Sequence, residues 1–129
     1  MAIILLSIKP EYVERIFSGS KKYEFRKTEF KRKDVNTIIV YSSGHVKKVV
    51  GEMKFKKVLC DTPNNIWKLT HIYSGLSLDS FMTYFEGRQK AYAIVIEKFI
   101  PLKEALPLDE CFPGVKAPQS FIYLDETKY

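Results

Sequence analysis

The segment at residues 2–8, "AIILLSI", most constrains the fold, because it is a short apolar run without a polar face. Such a run predicts a strand that is covered on both sides. The chain has 129 residues, of which 46% are hydrophobic, so it can bury a core around this strand and is not expected to be disordered. We therefore predict a single folded domain over residues 1–129.

The next segment changes from a helical to an alternating pattern at Gly19. Pro10 is typical of a first helical turn, and Gly19 is typical of a left-handed helix end, so a helix is expected between them. After Gly19, Tyr23 and Phe25 share the inward face of an extended segment. The opposite face carries the charged side chains of Lys22, Glu24 and Arg26.

The rest of the chain combines short strands with helices. Strands are predicted at residues 37–43, 45–60 and 90–100 and around "SFIYL", with a bulge or a tight bend at Gly51 and an end at Pro101. Helices are predicted after Pro63, with Ile66, Leu69 and Tyr73 as a buried stripe, and after Ser77. The tail before the last strand is predicted to be rich in loops. This order predicts an α+β fold in which helices flank a small mixed-direction β-barrel. A plain α+β sheet is the alternative.

Positive charge is concentrated in the first half of the chain. Residues 1–60 carry 14 Lys and Arg against 6 Asp and Glu, whereas residues 61–129 carry 7 against 9. This asymmetry favours an anionic partner such as RNA or a nucleotide, bound by the first half. The alternative is that the charge serves solubility alone.

Several classes of function have no support in the sequence. There is no apolar run of about 18 residues and no signal-peptide pattern, so no membrane association and a cytoplasmic location are expected. The isolated residues Cys60, Cys111, His45 and His71 form no metal or disulfide pattern. We therefore predict no metal and no cofactor, and the sequence leaves protein partners open.

Lys21, Glu24 and Arg26 are the candidate functional cluster. Glu24 and Arg26 lie two apart on one strand face, and a turn can bring Lys21 toward them. A neighbouring arginine lowers the pKa of a lysine, whereas a carboxylate raises it. Exposed strand charges, a binding cleft and catalysis all remain open at this point. Further binding candidates are polar residues at the ends of predicted elements, namely Lys9, Ser42, Ser43, Gln119 and Ser120.

The segment "SIKPEYVERIFSGSKKYEFRK" resembles the ASCH family of the PUA-like superfamily, whose hallmark is G-x-K-x-x-E-x-R after the first helix. The motif is read here as Gly19, Lys21, Glu24 and Arg26. The resemblance extends to "SLDSFMTYFEG", "KAYAIVIEKF" and "PQSFIYL". It implies a small β-barrel with a cleft, and the binding of RNA or a modified nucleotide there through Lys21, Glu24 and Arg26.

The same resemblance implies two enzymatic alternatives in which Lys21 and Glu24 are the catalytic candidates. One branch of the family is an amidohydrolase of N4-acetylcytidine with a lysine base, a threonine nucleophile and a glutamate acid. Lys21 matches the lysine, whereas Glu24 and Ser74 stand at the other two positions. A ribonuclease is the second alternative, since a lysine beside a carboxylate can assist attack by a 2′-hydroxyl.

Overall fold

The computed structural model describes residues 2–124. Its strands are β1 (Ala2–Ile8), β2 (Tyr23–Arg26), β3 (Val35–Ser42), β4 (Lys48–Asp61), β5 (Ala91–Leu106) and β6 (Phe121–Leu124). Its helices are α1 (Pro10–Ser18), α2 (Pro63–Thr70), α3 (Leu78–Tyr84) and α4 (Leu108–Cys111), and a 3₁₀ turn covers His71–Tyr73. Among these described helices, none is long and apolar enough to cross a membrane.

The strands form a mixed sheet in the order β2-β5-β4-β3-β1-β6. β1 runs parallel to β3, and the other neighbouring strands are antiparallel. The sheet curls into a half-barrel with helices on its flanks, and β2 and β6 lie at its two edges. The predicted α+β fold, a small mixed barrel with flanking helices, is confirmed.

β1 is buried on both of its faces, as its apolar composition predicts. Ile4, Leu6 and Ile8 pack into one core cluster, whereas Ile3 and Leu5 pack into a second cluster on the other face. The period-two alternation of a strand distributes these residues between the two clusters. The end of β1 is therefore held firmly, and this end forms part of the site described below.

The long strand β4 is irregular at Gly51. The register shifts between Val49 and Gly51 in the pairing with both β3 and β5, and a Cβ atom at Gly51 would lie 2.6 Å from the carbonyl oxygen of Ile100. The predicted irregularity, a bulge or a tight bend, is therefore confirmed as a bulge. The prediction that Pro101 ends the strand is wrong, because β5 continues to Leu106. Pro101 faces Gly51 at the irregular register, where a proline is tolerated because regular pairing is already interrupted.

One further local prediction is wrong. Leu69 is exposed by 62%, because the buried face of α2 runs through Ile66 and Thr70, and Tyr73 is exposed by 45%, because α2 ends at Thr70 and the tighter 3₁₀ turn that follows changes the helical period. The loop-rich tail also contains the short helix α4. Leu108 and Phe112 are buried in the second core cluster, which explains why this short helix packs on the sheet.

Helix α3 packs against β2 through aromatic rings. The ring of Phe25 lies 5.1 Å from that of Phe81 and 6.3 Å from that of Phe85, measured between centroids. Ser77 caps the helix by accepting a hydrogen bond from the Ser80 backbone N–H at 3.1 Å, as predicted. This packing anchors β2 through its apolar residues and brings α3 beside the charged motif.

Candidate functional site

A pocket of about 750 Å³ lies between the sheet and helices α1 and α3. Its walls come from the end of β1, the start of α1, β2, residues 76–84 and the segment just before β6. Lys21, Glu24 and Arg26 all line it. The charged face of the motif is therefore turned toward a cavity between the two sheet edges.

The turn after α1 places Lys21 at the start of β2. Gly19 adopts the left-handed conformation with φ of 89°, as its place at the helix end predicts. The backbone N–H of Lys21 then donates to the Arg15 carbonyl at 3.0 Å, and that of Lys22 donates to the Tyr73 carbonyl at 2.8 Å. These bonds fix the backbone on both sides of the turn.

Lys21 is buried, with only 2% of its surface exposed. Its Nζ donates to the Ser74 carbonyl oxygen at 2.7 Å and lies 3.8 Å from Glu24 Oε1. The ammonium also lies 4.7 Å from the ring centroid of Phe25 and 5.3 Å from that of Tyr12. Lys21 thus joins Glu24 through the turn, as the sequence predicts.

The backbone of Ser74 and Gly75 covers the Lys21 side chain. Gly75 has φ of +70°, and a Cβ atom there would lie 2.7 Å from the Lys21 side chain, so this close approach requires glycine. Arg15 Nη1 donates to the Gly75 carbonyl at 2.6 Å, and the Ser74 hydroxyl donates to the His71 carbonyl at 3.1 Å. The covering segment is therefore anchored at both of its residues.

Burial lowers the pKa of Lys21 from 10.5 to about 8. Glu24 raises this pKa, and the positive charges of Arg26 and Arg15 lower it. The sequence indicates the two neighbouring charges but not the larger effect, which is removal of the ammonium from water. Lys21 is therefore mostly protonated at pH 7, and it loses its proton at a lower pH than an ordinary lysine.

Glu24 and Arg26 form a buried ion pair beside Lys21. Arg26 Nη2 donates to Glu24 Oε2 at 2.7 Å and to the Ser7 carbonyl at 2.9 Å, which joins β2 to β1. Arg26 Nε is buried without a hydrogen-bond partner among residues 2–124. Buried donors in proteins are nearly always satisfied, so this one is available to a ligand or a water molecule.

The structure brings most of the predicted binding residues to the pocket. Lys9, Ser43 and Gln119 line it together with the motif, and Lys9 and Gln119 are exposed there. Ser42 and Ser120 do not line it. Ser42, the last residue of β3, is 2% exposed. The Ser120 carbonyl accepts a hydrogen bond from the Ser7 backbone N–H, so Ser120 holds the sheet edge.

Sequence reasoning missed several lining residues. Tyr12 lies one helical turn after Lys9, a spacing that could have indicated it. Thr83 and Tyr84 come from α3 and carry no signal that connects them to the motif. The Tyr84 hydroxyl donates to the Phe25 carbonyl at 3.4 Å, and burial raises its pKa.

Over residues 2–124, no group of three or more His, Cys, Asp or Glu side chains is placed to hold a metal ion. Cys60 and Cys111 are both free thiols. The chemistry of the pocket therefore rests on the ammonium, guanidinium, carboxylate, hydroxyl and amide groups named above.

The fold and the pocket define a small α+β half-barrel protein with a charged cavity between its sheet edges and its helices. Residues 6–103 match the model of the ASCH domain, and the chain belongs to the ASCH domain family.

Three comparisons show what this chain is similar to. It is 28% identical over 122 residues to an ASCH domain-containing ribonuclease from Zymomonas mobilis, with 93% of this chain and 82% of that protein aligned. The crystal structure of ASCH from Zymomonas mobilis matches with a TM-score of 0.86 at 26% identity, covering 98% of this chain and 90% of that one. A Ureaplasma parvum protein named large ribosomal subunit protein uL22 is 31% identical over 122 residues, but the match spans 39% of its length and 94% of this chain.

Proposed function

We propose that the protein binds RNA or a modified nucleotide in the pocket lined by the G-x-K-x-x-E-x-R motif. The observation that carries this proposal is the buried cluster of Lys21, Glu24 and Arg26 on the pocket wall. A buried cluster of three charges that faces a cavity is typical of a ligand site. Arg26 Nε has no hydrogen-bond partner among residues 2–124, so it can donate to the ligand.

The contacts suggest a role for each residue. Lys21 uses one donor on Ser74 and has further donors for a phosphate or another acidic ligand group. Arg26 is held by Glu24, so the carboxylate orients the guanidinium and can also accept from a base edge. Lys9, Ser43 and Gln119 provide secondary contacts near the rim in this proposal.

Single-stranded RNA titrated at about 50 and about 200 mM salt tests the proposal. We expect affinity to fall with salt, and to fall roughly tenfold in Lys21→Met and Arg26→Met, about 1.4 kcal/mol each. Methionine keeps an aliphatic stem in both buried positions. Lys98→Met, at an exposed lysine outside the pocket, is the matched control and should bind like the wild type.

Circular dichroism would establish that each variant is folded before its affinity is compared. Affinity that does not depend on salt would contradict the phosphate contacts. So would folded Lys21→Met and Arg26→Met proteins that bind as tightly as the control.

A ribonuclease is the second candidate, favoured by the pKa of Lys21 near 8 and by the similarity to a protein named as a ribonuclease. The neutral Lys21 amine would take the proton of a 2′-hydroxyl as its oxygen attacks the neighbouring phosphorus. The P–O5′ bond breaks in the same step, so one strand ends in a 2′,3′-cyclic phosphate and the leaving 5′-oxygen takes a proton from water. Cleavage of single-stranded RNA should then increase up to about pH 8 and be lost in Lys21→Met. Absence of cleavage products across this pH range would remove the candidate.

An amidohydrolase of N4-acetylcytidine has less support from the geometry. The Glu24 carboxylate is bound to Arg26, and the Ser74 hydroxyl is engaged in a turn with His71, so neither resembles a free nucleophile or acid. We expect no cytidine above blank from N4-acetylcytidine, and turnover that Lys21→Met abolishes would reverse this ranking. The single domain over 1–129 and the cytoplasmic location stay predictions.

A further inference from the structure

The loop between β2 and β3, residues 27–34 and called here the bridging loop, connects the two edges of the sheet. It leaves the edge strand β2 and contacts the opposite edge strand β6. The Tyr123 hydroxyl accepts hydrogen bonds from the backbone N–H groups of Lys31 at 2.9 Å and Arg32 at 3.3 Å. Phe30 is 7% exposed, and its ring centroid lies 5.0 Å from that of Phe121. The loop is therefore anchored by both polar and apolar contacts.

This anchored loop presents a set of exposed cations. Lys27, Lys31 and Lys33 are exposed and make no ion pair with a residue in the range 2–124. Arg32, in contrast, is paired with Asp34. Apart from Asp34, the loop carries one carboxylate, that of Glu29. The three lysines therefore outnumber the negative charges that are not paired with Arg32.

The bridging loop is continuous with the pocket. Lys27 directly follows Arg26, and its Nζ lies 4.7 Å from the ring centroid of Tyr84. Arg26 and Tyr84 both line the pocket, so the first cation of the loop lies beside the pocket wall. A ligand that extends from the pocket past Tyr84 would meet the loop.

We propose that Lys27, Lys31 and Lys33 bind the sugar–phosphate backbone of a single-stranded nucleic acid that has one nucleotide in the pocket. This inference rests on the proposed function and narrows its ligand from a free nucleotide to a strand. A strand matches the arrangement because it offers one group to the pocket and evenly repeated negative charges to the loop. The anchored loop backbone also reduces the ordering that binding would require.

The inference can be tested with a mixed-sequence single-stranded RNA of about twelve nucleotides. The variant carries Lys27→Gln, Lys31→Gln and Lys33→Gln. Its matched control carries the same change at three exposed lysines outside both the pocket and the loop, namely Lys68, Lys98 and Lys103. Each phosphate contact on a single strand contributes about 0.7 to the slope of log affinity against log salt. We expect the slope of the loop variant to decrease by about 2 and its affinity to fall at least tenfold at about 50 mM salt, while the control keeps the wild-type values.

A dinucleotide gives a second readout, because it is too short to follow the whole loop. The loop variant should bind it much like the wild type, and an equal loss for both RNA lengths would overturn the strand assignment. A loop variant with the wild-type slope on the longer RNA would also overturn it. So would a loss of binding to vesicles of anionic lipid without a loss of binding to RNA, which would assign the loop to a membrane surface.

Lys21→Met in the same titrations separates the inference from the proposed function. If Lys21→Met weakens binding of both RNAs and the loop variant weakens neither, the pocket proposal stands and the inference fails. If the loop variant weakens the longer RNA and folded Lys21→Met binds like the wild type, the pocket proposal fails. The inference fails with it, since the strand then has no nucleotide in the pocket.

Discussion

Two arginine–carboxylate pairs in this protein have the same spacing in sequence and nearly the same length. Glu24 and Arg26 are joined at 2.7 Å, and Arg32 and Asp34 are joined at 2.6 Å. The side chains of Glu24 and Arg26 are 8% and 11% exposed, whereas those of Arg32 and Asp34 are 50% and 45% exposed. The exposed pair is bidentate, because Arg32 Nε also donates to Asp34 Oδ1 at 3.0 Å, whereas Arg26 donates to Glu24 through Nη2. The pairs therefore differ in burial and in hydrogen bonding, although their shortest contacts are nearly equal in length.

The distance between two opposite charges therefore does not determine the role of the pair. Water and salt screen the exposed pair, so its loss has little effect on folding. The buried pair has given up its hydration, so each charge depends on its partner. The buried pair also lines the pocket and neighbours Lys21, so disturbing it affects both folding and the proposed binding.

Removing the buried carboxylate tests this difference most strongly. Glu24→Ala leaves Arg26 and Lys21 buried without their negative partner, and we expect a loss of about 3–5 kcal/mol in the free energy of unfolding. Urea denaturation measures this loss. Glu24→Gln should lose less, because its amide oxygen can still accept from Arg26. A Glu24→Ala protein as stable as Asp34→Ala would show that burial does not distinguish the two pairs.

The pH dependence of stability should show that the folded protein disfavours the charged form of Lys21. Its pKa is 10.5 in its ordinary state and about 8 in the folded protein, so the unfolded chain binds more protons between these values. Through this group, the free energy of unfolding should rise from pH 8 toward pH 10.5, by up to about 1.4 kcal/mol per pH unit.

Urea denaturation of the wild type and of Lys21→Met below pH 8 and near pH 10 isolates this contribution, because other groups titrate in both proteins. The stability of the wild type relative to the variant should increase over this range. A constant difference would mean that Lys21 titrates alike in the folded and unfolded chains.

Arg15 should act on the buried cluster although it is itself exposed. Arg15→Ala removes a positive charge that lowers the pKa of Lys21 and also removes the bond to Gly75 that holds the covering segment. We expect the pKa of Lys21 to rise toward its ordinary value. The pH dependence of Lys21 modification by an amine-specific reagent, followed by mass spectrometry, measures this change. Arg32→Ala is the control, and an equal effect in both variants would contradict the role of Arg15.

Breaking the exposed pair should have the smallest effect. In Asp34→Ala, Arg32 is already well hydrated and can remain in water, so the urea midpoint should stay within experimental error of the wild type. A clear decrease in the midpoint would show that the Arg32–Asp34 pair holds the bridging loop. In that case the anchoring by Tyr123 would be insufficient alone.

The sequence predicts the fold and the centre of the pocket because both depend on local patterns. A run of apolar residues predicts β1, a glycine predicts the end of α1, and alternating residues predict β2. Each of these patterns involves only neighbouring residues. The same spacing brings Lys21, Glu24 and Arg26 together. These features need no knowledge of the distant parts of the chain.

The burial of Lys21 could not be predicted in this way, because it depends on residues far along the chain. Ser74, whose carbonyl binds the ammonium, is 53 positions away, and nothing near Lys21 indicates it. The prediction for Ser42 and Ser120 rests on their positions at the ends of strands, where polar residues often face a ligand. Whether such a residue faces the pocket depends on where the strand ends, and Ser43 reaches it while Ser42 does not.

The Arg26 bond to the Ser7 carbonyl has a consequence for the order in which the molecule assembles. This bond joins β2 to β1, and both strands line the pocket. Pro118 and Gln119, just before β6, form another part of the pocket wall. Contacts between distant parts of a chain carry a large entropy of closure and slow folding. The pocket is complete only when all of these parts have met, so a bound ligand would select the fully folded chain. Ligand occupancy should therefore stabilise the native state against proteolysis, as mass action requires.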